Sequence, residues 1–247
     1  MPTASASVEE FLAPVTLTGD IVQLRPLVAA DHDALADATE DGDIWRLAYT
    51  RVPSRAEMAA EIERRLALAA AGQMLPFTTV RLGKNGNPDR VIGMTTLCNV
   101  DAASRRVEIG YTWNARSAQR SGTNTESKLL LLGHAFETMG CVVVQFRTDR
   151  RNLQSQAAIE RLGAARDGIL RSDTTMPDGF VRDTVVYSVI AAEWPQVKVG
   201  LEARLAAASA GFPAGSIAAA QTAAPAQTTA STQATASTQT TGPKDQG

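Results

Sequence analysis

The densest set of groups able to do chemistry lies between Arg106 and Phe136. A strand-like run, Arg106 to Trp113, stops at Asn114, and a polar loop follows that carries Gln119, Arg120, Ser121, Gly122, Thr123 and Asn124. Leu129, Leu132 and Phe136 then recur at helical spacing, so the loop feeds a helix N-terminus. The first N–H groups of a helix have no intrahelical partner and sit at the positive end of its dipole. Such a loop is a site for a phosphate or another anion. Gly122 lets the backbone approach a ligand with no Cβ in the way, and Arg116 and Arg120 can add positive charge. The plainer reading is an ordinary helix start capped by Asn124 or Thr125. The loop has neither the G-K-[ST] of a phosphate loop nor the G-x-G-x-x-G of a dinucleotide fold.

Three stretches, taken together and in order, resemble the GNAT superfamily of N-acetyltransferases. Gln119 to Asn124, Q-R-S-G-T-N, resembles the [QR]-x-x-G-x-[GA] pyrophosphate loop; Gln119 and Gly122 match, and Asn124 departs from the usual small last residue. Asn152 to Ser155 resembles the N-x-x-[SA] start of a helix that ends at a glycine, here Gly163. Glu108 to Tyr111, E-I-G-Y, resembles the strand before the loop. Order and spacing match the branch that holds the RimJ/RimL-type protein N-terminal acetyltransferases, over residues 15–205.

The resemblance implies direct transfer of an acetyl group from acetyl-CoA, as co-substrate and without a metal, to a primary amine on a peptide N-terminus or a small molecule. The pyrophosphate would rest on the N–H groups of Gln119, Arg120, Ser121, Gly122, Thr123 and Asn124. A free α-amine has a pKa of about 8, so a base helps to make it the neutral nucleophile. Glu108 is the candidate. In its strand Val107, Ile109 and Tyr111 alternate with Glu108, Gly110 and Thr112. With Ile109 and Tyr111 towards the core, Glu108 faces the other side, which borders the cleft in the resembled branch. The departing thiolate needs a hydrogen-bond donor. Many superfamily members place a tyrosine on the second helix for this. Here that position holds Ile159, and the resembled branch uses the serine at Ser155. Asn152 is assigned to the pantetheine arm, with helix capping as the simpler role for both. The missing tyrosine and Asn124 leave an alternative open: a degenerate GNAT domain that binds acyl-CoA or a protein partner without turnover.

The elements needed to position these groups are readable along the chain. Residues 1–13 are expected to be disordered. Residues 15–27 read as two short strands around Thr18-Gly19-Asp20, and residues 30–39 as a helix. Trp45 and Tyr49 fall in an irregular segment that lies near the acceptor in the resembled family. Ser54 with Glu57 forms a capping box for a helix that Gly72 ends. Strands at 76–82, 91–99 and 105–113 form an antiparallel meander. After the loop and its helix, 141–148 returns as a strand parallel to 105–113 by a right-handed crossover. A helix from Asn152 to Leu162, a hairpin of 165–172 with 182–190, and a helix over 193–206 complete the pattern. The expected fold is α+β (mixed α/β): a mostly antiparallel sheet splayed at one parallel strand pair, with helices on both faces. The domain spans 14–206. Residues 207–247 form a low-complexity Ala/Thr/Gln/Ser tail in which T-A-S-T-Q occurs twice, and it is expected to be disordered.

Composition narrows the function classes. A net charge of −2 offers no basic field for nucleic acid. The two cysteines, Cys98 and Cys141, lack metal-type pairing and read as buried free thiols. No secretory signal and no membrane-spanning run is visible, so a cytoplasmic protein without a membrane partner is expected. His32 and His134 read as structural. A homodimer is compatible with the resembled branch.

Overall fold

The computed structural model describes residues 11–46, 52–176 and 179–210. All described residues belong to one compact unit. Eight strands form one sheet in the order β1-β2-β3-β4-β5-β6-β8-β7. These are β1 (Leu17–Thr18), β2 (Val22–Pro26), β3 (Met74–Arg81), β4 (Arg90–Asp101), β5 (Arg106–Asn114), β6 (Val143–Asp149), β7 (Ala165–Thr175) and β8 (Val181–Ile190). Every pairing is antiparallel except β5 with β6. The helices are α1 (His32–Glu40), α2 (Met58–Ala70), α3 (Thr123–Gly133), α4 (Leu153–Leu162) and α5 (Trp194–Ser209).

Local signals account for most boundaries. Glu57 accepts from the backbone N–H and the hydroxyl of Ser54, at 2.9 and 2.7 Å, closing the expected capping box ahead of α2. Asn152 caps α4, its side chain accepting from the Ser155 N–H at 3.0 Å, and Gly163 ends that helix in the left-handed region at φ 98°. The helices cover both faces of the sheet. Leu35, Met58 and Ile62 of α1 and α2 pack with Ile92, Met94 and Trp113 in one cluster. Leu131, Leu132, Ile159, Val197 and Leu201 of α3, α4 and α5 pack with Phe77, Leu97, Val107 and Ile109 in the other. Both cysteines are buried free thiols whose pKa values burial pushes up, Cys141 to about 12.

Four expectations are corrected. Phe11 and Leu12, placed in the disordered N-terminal stretch, are buried in the second of these clusters. The closing helix runs on to Ser209 rather than stopping at Ala206. The inward face of α3 is Lys128, Leu131 and Leu132, continued by Ala135 in the turn just past its end, while Leu129 and Phe136 are only partly buried. The strict alternation along β5 fails at Tyr111. The β4–β5 register shifts between Met94 and Thr96, and Tyr111 takes φ 50° and is 42% exposed. This β-bulge sets two β5 residues against one on β4 and resets which side chains point to which face. Trp45 is at the surface, with the Arg46 guanidinium 4.9 Å from its ring; Tyr49 lies outside the described residues.

Candidate active site

The parallel pair opens like a V. Three rungs join β5 to β6: Arg106 with Val143, Val107 with Val144, and Glu108 with Gln145. Beyond Glu108, β5 pairs only with β4 and β6 only with β8. The inner edges of Ile109–Asn114 and Phe146–Asp149 therefore carry backbone groups without a strand partner. Such groups need hydrogen bonds from elsewhere, which an extended ligand with amide groups is able to supply. A crevice beyond the carboxyl ends of parallel strands is also where open sheets bind ligands. α3 starts after the β5 end of the V and α4 after the β6 end.

Glu108 sits on the last rung, at the apex of the opening, and is 7% exposed. Its carboxylate accepts from Asn99 Nδ2 at 2.7 Å, with Arg147 Nε at 3.3 Å. Asn99 reaches it because the β4–β5 register shifts again between Cys98 and Asp101, where Asn99 takes φ 48°. A Cβ on Gly110 would stand 3.0 Å from Glu108 Oε1, so the two residues share a face as the alternation implied, and Gly110 leaves the carboxylate room. Burial pushes the Glu108 pKa up; Asn99, Arg147 and Arg182 pull it down, and Asp173 adds to the rise. Desolvation leads, as it does for carboxylates poised as bases.

The loop residues are brought together at the start of α3. Gln119 and Arg120 are exposed, and Gln119 Nε2 donates to Asn114 O at 3.2 Å. Arg120 and Gly122 both have positive φ, 58° and 83°. Alternating backbone handedness turns successive N–H groups to one side and forms an anion-binding concavity. The hydroxyls of Ser121 and Thr123 both donate to Ala118 O, at 2.6 and 2.7 Å, so these side chains brace the loop from within. Neither Asn124 nor Thr125 caps α3: the N-cap is Gly122 itself. Glu126 fixes this helix start to the sheet. Its buried carboxylate accepts from the N–H groups of Asp20, Ile21 and Val22 at 2.9, 2.7 and 2.7 Å.

Asn152 and Ser155 stand together at the start of α4. Asn152 performs the capping role, and Ser155 is half-buried with no hydroxyl hydrogen bond among the described residues. At the end of β5, Trp113 Nε1 and Asn114 Oδ1 are buried without a hydrogen-bond partner among the described residues. Sequence reasoning missed Asn99, Arg147, Glu126 and Lys128, whose roles arise from contacts between distant segments. Among the described residues no group of three or more His, Cys, Asp or Glu side chains is placed to hold a metal ion, and no helix is long and apolar enough to cross a membrane.

Comparison with known proteins gives the same fold. The family description "Acetyltransferase (GNAT) domain" matches residues 22–165. YdaF of Bacillus subtilis, named as a candidate ribosomal N-acetyltransferase, is 34% identical over 102 residues, 41% of this chain. The match spans 55% of that relative's length. A candidate acetyltransferase from T. thermophilus is 36% identical in sequence with a TM-score of 0.67, covering 78% of this chain and 97% of its own. RimJ of Mycobacterium smegmatis, solved in complex with CoA-disulfide, shares the fold at 24% identity and a TM-score of 0.64, covering 77% of this chain and 95% of its own. A sheet opened at one parallel pair, a left-handed glycine at the following helix start and a family match over most of the described residues lead to one conclusion: the chain belongs to the GNAT family and is an acetyltransferase.

Proposed function

We propose that the protein transfers the acetyl group of acetyl-CoA directly to a primary amine, with a peptide N-terminus as the favoured acceptor. The observation that carries this reading is the V between β5 and β6, with a buried carboxylate at its apex and a helix start with a left-handed glycine at one lip. CoA in the RimJ complex and the ribosomal designation of YdaF support the co-substrate and the protein acceptor. The residues present suit such a molecule. The N–H groups from Arg120 to Asn124 take the pyrophosphate, and the unpaired edge of β5 takes the amides of the pantetheine arm. The orphaned Asn114 Oδ1 offers one further acceptor for an amide N–H.

Acetyl-CoA supplies the activated thioester. Glu108, ionised, accepts a proton from the incoming ammonium, directly or through one water, and leaves a neutral amine to attack. Backbone N–H groups of the bulged β5 edge face the oxygen on which negative charge gathers. Ser155 donates a hydrogen bond to the departing sulfur, and Asn152 holds the start of α4 in place for it.

Two measurements test the binding and leaving-group assignments. Gly122→Glu forces a side chain into a left-handed backbone position, where its Cβ would meet Ile21 Cδ1 at 3.0 Å, and sets a carboxylate against the phosphates. Calorimetry should show acetyl-CoA affinity reduced about 100-fold, roughly 2.7 kcal/mol; unchanged affinity places the pyrophosphate elsewhere. Ser155→Ala removes one hydrogen bond to a developing anion, worth about 1.5–3 kcal/mol. kcat should fall about ten-fold or more with KM for acetyl-CoA nearly constant, and full turnover would move the thiolate role to another group. Release of free CoA should be compared across peptides with a free α-amine, lysine-containing peptides with a blocked N-terminus, and polyamines. The first group should give the highest kcat/KM.

A further inference from the structure

α3 turns a charged residue into the protein. Lys128 is 5% exposed and lies on the same inward face as Leu131, Leu132 and Ala135. Among the described residues its one hydrogen bond is from Nζ to Thr112 Oγ1, at 2.9 Å, and no ion pair includes it. An ammonium carries three donors, and burying one without a counter-charge is expensive. A leucine would complete this helix face at lower cost, so packing alone does not explain a lysine here.

Its partner is in a telling place. Thr112 is exposed and stands on β5 beyond the last rung shared with β6, next to the bulge at Tyr111. Its hydroxyl also shares a 2.8 Å hydrogen bond with Thr95 Oγ1 on β4. From the opposite face of the sheet, buried Arg65 of α2 donates to Thr96 Oγ1 at 2.8 Å and to the Tyr111 carbonyl at 3.4 Å. The bulge is thus held by one buried cation on each face. Arg65 has a counter-charge, Glu61, at 2.7 Å; Lys128 has none among the described residues.

We propose that Lys128 is a positioning residue of the acetyl-CoA cleft, which sets the bulged edge of β5 through Thr112 and becomes fully charged when the anionic co-substrate occupies the opening. This rests on the reading of the V as the acetyl-CoA site. Burial pulls the Lys128 pKa down to about 7, with Cys98 on β4 acting in the opposite direction. Cys98 itself is held protonated by burial. The other titratable groups nearby are spoken for. Glu126 on α3 is turned to the β1–β2 turn, burial lowers the pKa of His134 just past the end of α3, and Glu108 accepts from Asn99 on the face it shares with Gly110. The buried amine is therefore poised to gain a proton near neutral pH. Negative charge and carbonyl dipoles entering the cleft favour the ammonium, so binding takes up a proton.

The test is acetyl-CoA calorimetry on the full chain at pH 7.5, in two buffers of different ionisation heat, with wild type, Lys128→Met, Lys128→Arg and Thr112→Val. Wild type should take up a fraction of a proton on binding. Lys128→Met should lose that uptake, bind at least ten-fold more weakly and keep or raise its melting temperature. Lys128→Arg, always charged, should recover most of the affinity without the uptake. Thr112→Val leaves the buried amine in place and breaks the link, so its affinity should also fall; it serves as the test if the Lys128 variants do not fold. Wild-type affinity and proton uptake in Lys128→Met, or wild-type affinity in Thr112→Val, would make Lys128 a packing residue and leave the acetyl-CoA site standing. Absence of acetyl-CoA binding by wild type would overturn that site and this proposal together.

Discussion

Glu108→Gln is expected to lower kcat/KM for the amine by about 10²–10⁴-fold, the usual contribution of a positioned base, while acetyl-CoA binding stays near wild type. The pH dependence gives the sharper signature. Because burial raises the Glu108 pKa, the carboxylate forms only above the ordinary carboxylate range, and wild-type activity should climb as pH rises through that elevated value. In Glu108→Gln this rise should vanish, leaving only the ionisation of the amine itself. Stability should move the other way. A carboxyl whose folded pKa is raised binds its proton more tightly in the folded protein than in the unfolded chain. Its contribution to stability is complete below the unfolded pKa and is lost as pH rises through the folded one. Glutamine keeps an acceptor for Asn99 Nδ2 and removes the ionisation. The variant should therefore be at least as stable as wild type at neutral pH, with a flatter stability profile across that window. An unaltered pH–rate profile would exclude Glu108 as the base.

The second large effect is on the fold. Glu126→Ala removes a buried carboxylate that three backbone N–H groups of the β1–β2 turn share. Hydrogen bonds to a charged group contribute about 1.5–3 kcal/mol each, and stranding buried donors adds their desolvation cost. A loss of roughly 3–5 kcal/mol is expected. For a domain of this size that lowers the melting temperature by about 10 °C or more. Glu126→Gln keeps one acceptor oxygen and should fall in between. Since Glu126 is in the first turn of α3, directly after the loop, weaker acetyl-CoA binding should accompany the loss of stability. A melting temperature within a degree or two of wild type for Glu126→Ala would contradict this account. Gly19 belongs to the same device, because a Cβ there would run into the Glu126 carboxyl group.

What the sequence revealed follows from how local the physics is. The strand, polar loop and helix around Gly122 were legible because a left-handed glycine, a helix start and apolar periodicity act within a few residues. Asn152 and Gly163 bracketing α4 were legible for the same reason. The parallel return of β6 followed from the handedness of crossovers. What escaped was set by pairing between distant segments. No composition cue marks the bulge at Tyr111, since it arises from the register of β5 against β4. Placing Tyr111 in the core and Thr112 beside Glu108 extended an alternation across a break in the pleat. Asn99 reaches Glu108 for a similar reason, through a second irregularity. Lys128 carries no local cue either: a charged residue on a helix usually faces solvent, and its spacing from Leu131, Leu132 and Ala135 gains meaning only because those residues, rather than Leu129 and Phe136, face inward. Nothing local marks Glu126, because only the folded chain brings the β1–β2 turn onto it.

The most direct test of the central claim follows free CoA thiol over time with purified full-length protein, acetyl-CoA and a short peptide with a free α-amine, and identifies the product by mass spectrometry. The same peptide with a blocked N-terminus serves as the control. The account predicts saturable thiol release matched by one acetyl group on the α-amine, none on the blocked peptide, and a rate that collapses in Glu108→Gln. Tight acetyl-CoA binding without thiol release across peptide and small-molecule amines would contradict it, and would make the domain a binder of acyl-CoA without turnover.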